Sequence, residues 1–189
     1  MSSSGTTTTE YTGQLPEWLA DNTTFAATTF PTLPQPWHMV DQREPIQQSG
    51  KMTVVLTCLD PRCVPETFFG PSFNGAVIRN AGGRATDDAV RSLSVLRALA
   101  GLTTVAVVHH ADCGVTHVTT QEITDATAPN TAPPATTNPY SLFTTEDYDS
   151  GRSVRHDVHT LQTAPALAGL HVYGFKLDTF TGKLEAVEV

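Results

Sequence analysis

The sequence predicts an α/β fold with a mostly parallel central sheet flanked by helices, an N-terminal helical arm and a C-terminal edge hairpin. Three apolar runs rich in β-branched residues, at 54–57, 76–78 and 104–108, are typical of buried strands. An amphipathic stretch at 86–100 separates the second run from the third. Strands joined by a crossover helix favour parallel pairing with right-handed connections.

Start and stop signals support the individual elements. Thr86 is a candidate N-cap for the crossover helix, and Gly101 follows the last residue of its apolar pattern. A second helix is predicted from Ser153, because apolar residues recur there at helical spacing. The runs at 171–175 and 184–187 are predicted to pair as the C-terminal hairpin.

The region before the first strand differs in composition, and we predict two segments. Residues 1–50 form an N-terminal tail, a helical arm and a Pro-rich connector, and residues 51–189 form the main α/β domain. The tail at 1–13 is almost free of apolar residues and is predicted to be disordered or only loosely attached. The arm at 15–29 is an amphipathic but Thr-rich helix, which needs a surface to pack on. The stretch at 30–50 carries four prolines and is predicted to be extended.

Composition limits the classes of partner. The chain has 189 residues, 39% of them hydrophobic, which is enough for one ordinary domain. Its formal charge of −8, from 11 basic and 19 acidic residues, argues against nucleic acid or an anionic membrane as a partner. No apolar run approaches the ~20 residues of a membrane-spanning helix, and no secretory signal is recognisable. We therefore expect a cytoplasmic protein.

The first predicted strand ends in three chemically reactive side chains. Cys58, Asp60 and Arg62 follow the apolar run at 54–57. In open α/β sheets, ligands bind beyond the carboxyl ends of the strands, so chemistry is expected here. The alternative is that Cys58 is an inert buried thiol and that Asp60 and Arg62 form an ordinary surface ion pair.

The third predicted strand ends in a second group of metal-binding side chains, which includes His110 and Cys113. Together with Cys58 they make a Cys₂His set, and a catalytic zinc site typically uses three such ligands and leaves a fourth position open. The ligands come from separate strands, unlike the short ligand pairs of a zinc finger. Cys63 remains as a third cysteine. We predict a free, partly buried thiol there rather than a redox partner for Cys58.

Three motifs carry a resemblance to a known family. They are Cys58-x-Asp60-x-Arg62, Arg79-Asn80-Ala81-Gly82-Gly83 and His110-x-x-Cys113-Gly114, and they resemble the signature of β-class carbonic anhydrases, including their carbonyl sulfide hydrolase relatives. The resemblance implies that Cys58, His110 and Cys113 hold Zn²⁺ and that Asp60 and Arg62 form a dyad that governs the fourth coordination site. It also implies that the N-terminal arm wraps a second subunit, as in a homodimer or homotetramer.

The resemblance implies the reversible hydration of carbon dioxide to bicarbonate by attack of zinc-bound hydroxide. Zinc lowers the pKa of bound water to about 7 in a related type of site, and Asp60 is a candidate to orient the resulting nucleophile while Arg62 holds its carboxylate. The substrate is then a small molecule. Two alternatives remain: hydrolysis of carbonyl sulfide or carbon disulfide at the same site, and a non-catalytic protein with structural zinc in which Asp60 is a permanent fourth ligand.

Four further features have two possible roles each. His109 is either a proton shuttle or a packed histidine, and alternation along the strand favours packing. Asp112 either anchors the ligand loop through backbone N–H groups or forms a turn. Ala76 replaces a larger side chain of many relatives, so we expect it to enlarge the substrate pocket and permit carbonyl sulfide hydrolysis. The stretch at 122–148 is predicted to be a surface loop, either a lid or interface element or disordered.

Overall fold

The computed structural model describes residues 12–34, 38–127 and 140–189. The chain divides into two compact units, one ending at Asp41 and one beginning at Gln42. The helices are α1 (Leu15–Thr28), α2 (Met39–Ser49), α3 (Pro65–Phe68), α4 (Asp87–Ala100), α5 (Thr120–Thr127), α6 (Thr145–Asp149) and α7 (Arg152–Thr163). The strands are β1 (Thr53–Cys58), β2 (Ala76–Asn80), β3 (Thr104–His110), β4 (His171–Leu177) and β5 (Leu184–Val187). Short 3₁₀ helices lie at Phe30–Thr32, Ala81–Gly83, Gly114–His117 and Pro165–Leu167.

The five strands form one sheet in the order β2-β1-β3-β4-β5. The first four strands are parallel, and β5 pairs antiparallel with β4. This confirms the predicted mostly parallel sheet with a C-terminal edge hairpin. Because parallel strands end at the same edge, the residues after β1 and β3 lie next to each other.

Each face of the sheet has its own apolar cluster. On one face, Leu56 and Val107 pack with Leu93 of α4 and Leu161 of α7. On the other face, the cluster consists of Val55, Cys58, Cys63, Ala106, Val108, Cys113, Tyr148 and Leu177. Full burial of one Leu or Val side chain contributes roughly 1.5–3 kcal/mol, so this two-sided burial holds the strand ends in place.

Helix α4 begins and ends as its sequence predicts. The Thr86 hydroxyl accepts a hydrogen bond from the Ala89 N–H at 3.3 Å, and the helix is closed by Gly101 with φ of +66°. A left-handed residue after a helix is most easily a glycine, because it has no Cβ. Helix α7 also agrees with the prediction of a helix near Ser153.

Helix α1 confirms the predicted N-terminal helix. Pro16 lies in its first turn, where a missing N–H costs nothing. None of the side chains of α1 is buried, and Trp18 is 60% exposed. Within the part of the chain that the structure describes, no helix is long and apolar enough to cross a membrane. Most of the predicted tail at 1–13 lies outside the described residues.

The extended connector predicted at 30–50 is wrong for its second half, which forms α2. Pro45 lies inside this helix. A tertiary contact explains the difference: the Gln47 side-chain amide donates to the carbonyls of Ala98 and Leu99, at 3.3 and 3.0 Å. These carbonyls at the end of α4 lack partners within their own helix, so they favour a neighbour that can donate. Proline content alone could not show this contact.

The surface loop predicted at 122–148 is also wrong at both ends. Helix α5 occupies 120–127 and α6 occupies 145–149, while residues 128–139 lie outside the described residues. Thr144 and Asp147 form a reciprocal capping box at the start of α6. This capping box fixes the helix that carries Tyr148.

Candidate metal centre

Three metal-binding side chains meet at the carboxyl edge of the sheet. Cys58 is the last residue of β1, His110 is the last residue of β3, and Cys113 follows three residues later. Their ligand atoms all lie within 4.8 Å of one another, and the two sulfurs are 3.8 Å apart. All three residues are buried. The donor set and its size suit a tetrahedral zinc ion with one position left open.

The orientation of His110 fits a metal ligand. Its Nδ1 lies 2.9 Å from the carbonyl oxygen of Ala111, and a carbonyl only accepts, so Nδ1 carries the proton. Nε2 is therefore the nitrogen left for a metal, and it is buried without a hydrogen-bond partner among the described residues. A buried polar atom without a partner is costly, and a cation would satisfy it.

The protonation of the metal-free cluster also favours a cation. A hydrogen bond from Cys113 lowers the pKa of Cys58 to about 4, against the effect of burial, while Cys58 raises the pKa of Cys113. The two sulfurs thus share one proton, because two thiolates at this distance would repel. Burial disfavours a charged imidazole, but the nearby sulfurs of Cys58 and Cys63 raise the pKa of His110 to about 10. A divalent cation would replace both protons.

Backbone groups hold the Cys58 end of the cluster. The backbone N–H groups of Asp60 and Gly82 hydrogen-bond the Cys58 sulfur and lower its pKa. The Arg79 side chain donates to the carbonyls of Cys58 at 3.0 Å and of Asp60 at 2.6 Å. Gly83 has φ of +70°, and a Cβ there would lie 2.9 Å from the carbonyl carbon of Thr57. The paired glycines therefore permit the close approach of two strand ends.

Asp60 and Arg62 form a bidentate pair beside the cluster. Arg62 donates from Nε to Oδ1 at 3.0 Å and from Nη2 to Oδ2 at 2.8 Å, and its backbone N–H also donates to Oδ1. These hydrogen bonds hold the pKa of Asp60 at about 2. Both carboxylate oxygens are thus engaged by Arg62, and Asp60 is outside the group of ligand atoms.

Asp112 lies in a turn, as one of the two predictions states, and it also contacts Arg62. Its carboxylate and its carbonyl accept from Arg62 at 3.1 and 3.0 Å. Its φ is +52°, in the left-handed region that Asp tolerates better than most residues. The observed side-chain partners are Arg62 and, at 3.5 Å, His117. The ligand loop is therefore tied to the Asp60–Arg62 pair through Arg62.

His109 packs away from the cluster, as strand alternation indicates. Its Nε2 lies 3.1 Å from the Gly83 carbonyl and 3.1 Å from Asp157, and its Nδ1 lies 2.8 Å from the Ser153 hydroxyl. The ring is 1% exposed. The structure agrees with the packed-histidine alternative. Asp157 also forms a buried pair with Arg84.

Tyr148 is a residue at the site that the sequence did not indicate. It is buried, its ring stacks on His109 with centroids 5.1 Å apart, and its hydroxyl donates to the Gly82 carbonyl at 3.0 Å. Tyr148 and Cys113 belong to the same apolar cluster. Burial raises the pKa of Tyr148, so it keeps its proton. The sequence signal that was available is that Tyr148 is an aromatic residue within a polar stretch.

Ala76 lies far from the cluster of its own chain. It pairs with Val54 at the amino end of β2, whereas Cys58 pairs with Asn80 at the carboxyl end. Four residues of strand correspond to about 13 Å. Ala76 packs against the apolar cluster that contains Leu56. Ala76 is therefore not beside the metal centre of its own chain, and its effect on the choice of substrate stays a prediction.

A cavity of about 240 Å³ lies behind His110, between α6 and the β4–β5 hairpin. Its lining includes His110, Tyr148, Lys176, Lys183 and Glu185. Cys58 and Asp60 do not line it, within the described part of the chain. The cavity thus lies away from the Asp60–Arg62 side of the metal centre.

The chain was compared with known proteins. No model of a protein family matches it. It is 29% identical over 173 residues to "Beta-carbonic anhydrase 1" of Mycobacterium tuberculosis, covering 90% of this chain and 96% of that protein. It is 43% identical over 70 residues to a carbon disulfide hydrolase of Acidianus sp., covering 36% of this chain and 34% of that protein.

A solved structure supports the same assignment. The carbonic anhydrase of Streptococcus mutans superimposes with a TM-score of 0.69 at 25% sequence identity, covering 95% of this chain and all (100%) of that chain. The sequence relatives, the shared fold and the Cys58–His110–Cys113 cluster agree. The chain therefore resembles β-class carbonic anhydrases along nearly its whole length and a carbon disulfide hydrolase along a shorter segment.

Proposed function

We propose that this protein is a zinc-dependent carbonate dehydratase, which catalyses the reversible hydration of carbon dioxide to bicarbonate. The observation that supports this proposal is the buried Cys58–His110–Cys113 cluster next to the Asp60–Arg62 pair, in a chain that resembles this family. The cluster supplies ligands, and the pair supplies an oriented carboxylate at the same edge of the sheet.

Each residue has a distinct task in this mechanism. Cys58, His110 and Cys113 would hold a zinc ion through two thiolates and Nε2 of the imidazole. Zinc bound there would supply a nucleophile derived from water at neutral pH. Asp60 would accept a hydrogen bond from the attacking oxygen and orient it toward the carbon of the substrate.

Arg62 is the residue that keeps Asp60 available for this task. Its guanidinium engages both carboxylate oxygens, so the carboxylate is held in one orientation. A permanent fourth ligand would need one of these oxygens for the metal. The observed pairing therefore favours a catalytic centre over a structural one.

A second candidate function is hydrolysis of carbon disulfide or carbonyl sulfide at the same site. The local similarity to a carbon disulfide hydrolase favours it. That match has 43% sequence identity over 70 residues, whereas the whole-length relative has 29% identity over 173 residues. The two reactions share attack on a linear molecule with a cumulated carbon. We rank carbon dioxide first because the whole-length relatives are named as carbonic anhydrases.

The test compares kcat/KM for carbon dioxide, carbonyl sulfide and carbon disulfide on one zinc-loaded preparation, since this ratio measures differential stabilisation of transition states. We expect one zinc per chain and the highest value for carbon dioxide. Cys113→Ser should lose zinc and activity together. A higher kcat/KM for a sulfur-containing substrate would reverse the ranking. Inactivity on all three substrates with zinc bound would favour a structural site.

We also propose a homodimer or homotetramer in the cytoplasm, where a reducing environment preserves the thiols. Helix α1 supports the assembly, because Trp18, Leu19 and Phe25 are exposed at 60, 41 and 43%. Large apolar side chains grouped on one helix mark interaction surfaces. Sedimentation of the full chain and of a chain without residues 1–30 tests this. A monomer at micromolar concentration in both cases would contradict it.

A further inference from the structure

We propose that Asp112 is a positioning residue, which fixes the Asp60–Arg62 pair relative to the loop after β3. This loop carries two of the three metal-binding side chains. The inference deepens the proposed function and rests on it. Asp112 lies between the second and third residues of the metal-binding cluster in sequence, and it acts from outside that cluster.

The Asp60–Arg62 pair alone fixes two side chains only relative to each other. The two residues lie two positions apart, in the segment directly after β1. Arg62 donates from Nε and Nη2 to the two carboxylate oxygens of Asp60, at 3.0 and 2.8 Å. Arg79 donates to the Asp60 carbonyl, which holds the backbone but not the carboxylate. These contacts leave the position of the pair relative to the loop after β3 undetermined.

Asp112 supplies the contact with that loop, 50 residues after Arg62. Arg62 donates from Nη1 to Oδ2 of Asp112 at 3.1 Å and from Nη2 to its carbonyl oxygen at 3.0 Å. Within the described residues, the guanidinium thus has two hydrogen bonds to Asp60 and two to Asp112. A guanidinium is planar and its N–H groups point in fixed directions, so acceptors on two sides determine its orientation.

The backbone at Asp112 is adapted to this contact. Its φ of +52° lies in the left-handed region, which is unfavourable for most residues that carry a Cβ. Unfavourable backbone conformations persist where several contacts determine them together, and they cluster at active sites. At Asp112 this conformation is combined with two contacts to one guanidinium, from the carbonyl and from the carboxylate.

Exposure argues against a mainly structural task for these contacts. The side chains of Arg62 and Asp112 are 40% and 51% exposed. Water screens such a pair, so its contribution to stability is small. Orientation is more sensitive, because a small misplacement of a group that directs the nucleophile lowers the rate. We therefore expect Asp112 to affect kcat/KM and not the unfolding of the protein.

Nuclear magnetic resonance of the Arg62 guanidinium tests the contact in the full, zinc-loaded chain. Rotation about the Nε–Cζ bond exchanges the two Nη groups, so it requires their hydrogen bonds to break. Asp112→Gly removes the carboxylate but suits the left-handed backbone, and it should raise the rotation rate about 10-fold. Asp112→Asn keeps an acceptor oxygen and should restore most of the wild-type rate. His117→Ala is the matched control, because it removes the other observed side-chain partner of Asp112, at 3.5 Å, and it should leave the rate unchanged.

A double-mutant cycle tests whether Asp112 acts through Arg62. With Arg62 present, Asp112→Gly should lower kcat/KM for carbon dioxide about 10-fold, because the pair is no longer held against the loop. Asp112→Asn should restore most of this loss. In the Arg62→Ala background there is no guanidinium to hold, so Asp112→Gly should have little further effect.

The two measurements have separate failure outcomes. An unchanged rotation rate in Asp112→Gly would overturn the inference. Equal losses of kcat/KM with and without Arg62 would overturn it as well, because Asp112 would then act independently of Arg62. If the rotation rate rises as expected but zinc-loaded wild-type protein acts on none of the three substrates, the control of Arg62 by Asp112 stands and the proposed function fails.

Discussion

Two arginine–aspartate pairs in this molecule share a bidentate geometry but differ in burial. In the Arg62–Asp60 pair the shortest contact is 2.8 Å, and the side chains are 40% and 16% exposed. In the Arg84–Asp157 pair it is 2.6 Å, and the side chains are 4% and 1% exposed. The first pair lies beside the Cys58–His110–Cys113 cluster, and the second joins the residue after the Gly82–Gly83 turn to α7.

The difference in burial separates function from stability. An exposed pair is screened by water and contributes about 0–1 kcal/mol, so the proposed task of Arg62 and Asp60 would add little to stability. A buried pair has lost its hydration, so each charge depends on its partner. Arg84 has further contacts, with the Ser141 carbonyl and with the ring of Phe143 at 4.2 Å, which fix its position.

The largest expected effect is on stability in Arg84→Ala. This change leaves the Asp157 carboxylate buried without its cation, which should lower the free energy of unfolding by about 3–5 kcal/mol. That is a large part of the 5–15 kcal/mol typical of a domain. Urea unfolding followed by circular dichroism measures the loss.

Arg91→Ala is the matched control for this prediction. Arg91 pairs with Asp88 at 2.9 Å, but the two side chains are 68% and 76% exposed. We expect a change below about 1 kcal/mol. Equal losses in the two variants would show that burial does not distinguish the pairs.

The second expected effect is on activity in Arg62→Ala. The free energy of unfolding should change by less than about 1 kcal/mol. We expect kcat/KM for carbon dioxide to fall about 100-fold, or about 2.7 kcal/mol in the barrier, because Asp60 loses its fixed orientation. Stopped-flow hydration assays measure it. Arg62→Lys keeps the positive charge but lacks the planar guanidinium, so it should restore little of the lost kcat/KM. Wild-type kcat/KM in Arg62→Ala would contradict a role in orientation.

The sequence was sufficient to predict the sheet and the proximity of Cys58, His110 and Cys113. Apolar runs locate β1, β2 and β3, and parallel pairing then requires Cys58 and His110 to meet at one edge. The ligand types and their positions directly after strands made a metal site predictable before any contact was known. The orientation of His109 followed from alternation alone.

The remaining features depend on contacts between distant parts of the chain. Asp157 lies in a polar stretch that resembles the exposed side of a helix, yet it pairs with Arg84, 73 residues earlier. Tyr148 and Gln47 likewise find partners that no local pattern indicates. Periodicity reports which face of an element is buried, but it does not report which polar residues are buried with a partner.

The smallest expected effect is the acid sensitivity that Asp157 confers. Burial alone would raise its pKa, but hydrogen bonds from Arg84 and His109 outweigh burial, so the pKa in the folded protein is lowered. The unfolded value is about 3.9. A depressed folded pKa stabilises the protein above the unfolded value, and this contribution is lost as pH falls below about 4 toward the folded pKa. One such group adds at most about 1.4 kcal/mol per pH unit to the slope of the free energy of unfolding against pH.

We expect the wild-type protein to lose free energy of unfolding more steeply than Asp157→Asn between pH 4 and 3, although the variant is less stable at pH 7. Both proteins are compared at equal zinc content, so that acid-driven release of metal affects the two curves of unfolding free energy against pH alike. Parallel curves below pH 4 would show that Asp157 takes up no extra proton on unfolding, and the buried pair would then differ from the exposed one in stability but not in its response to acid.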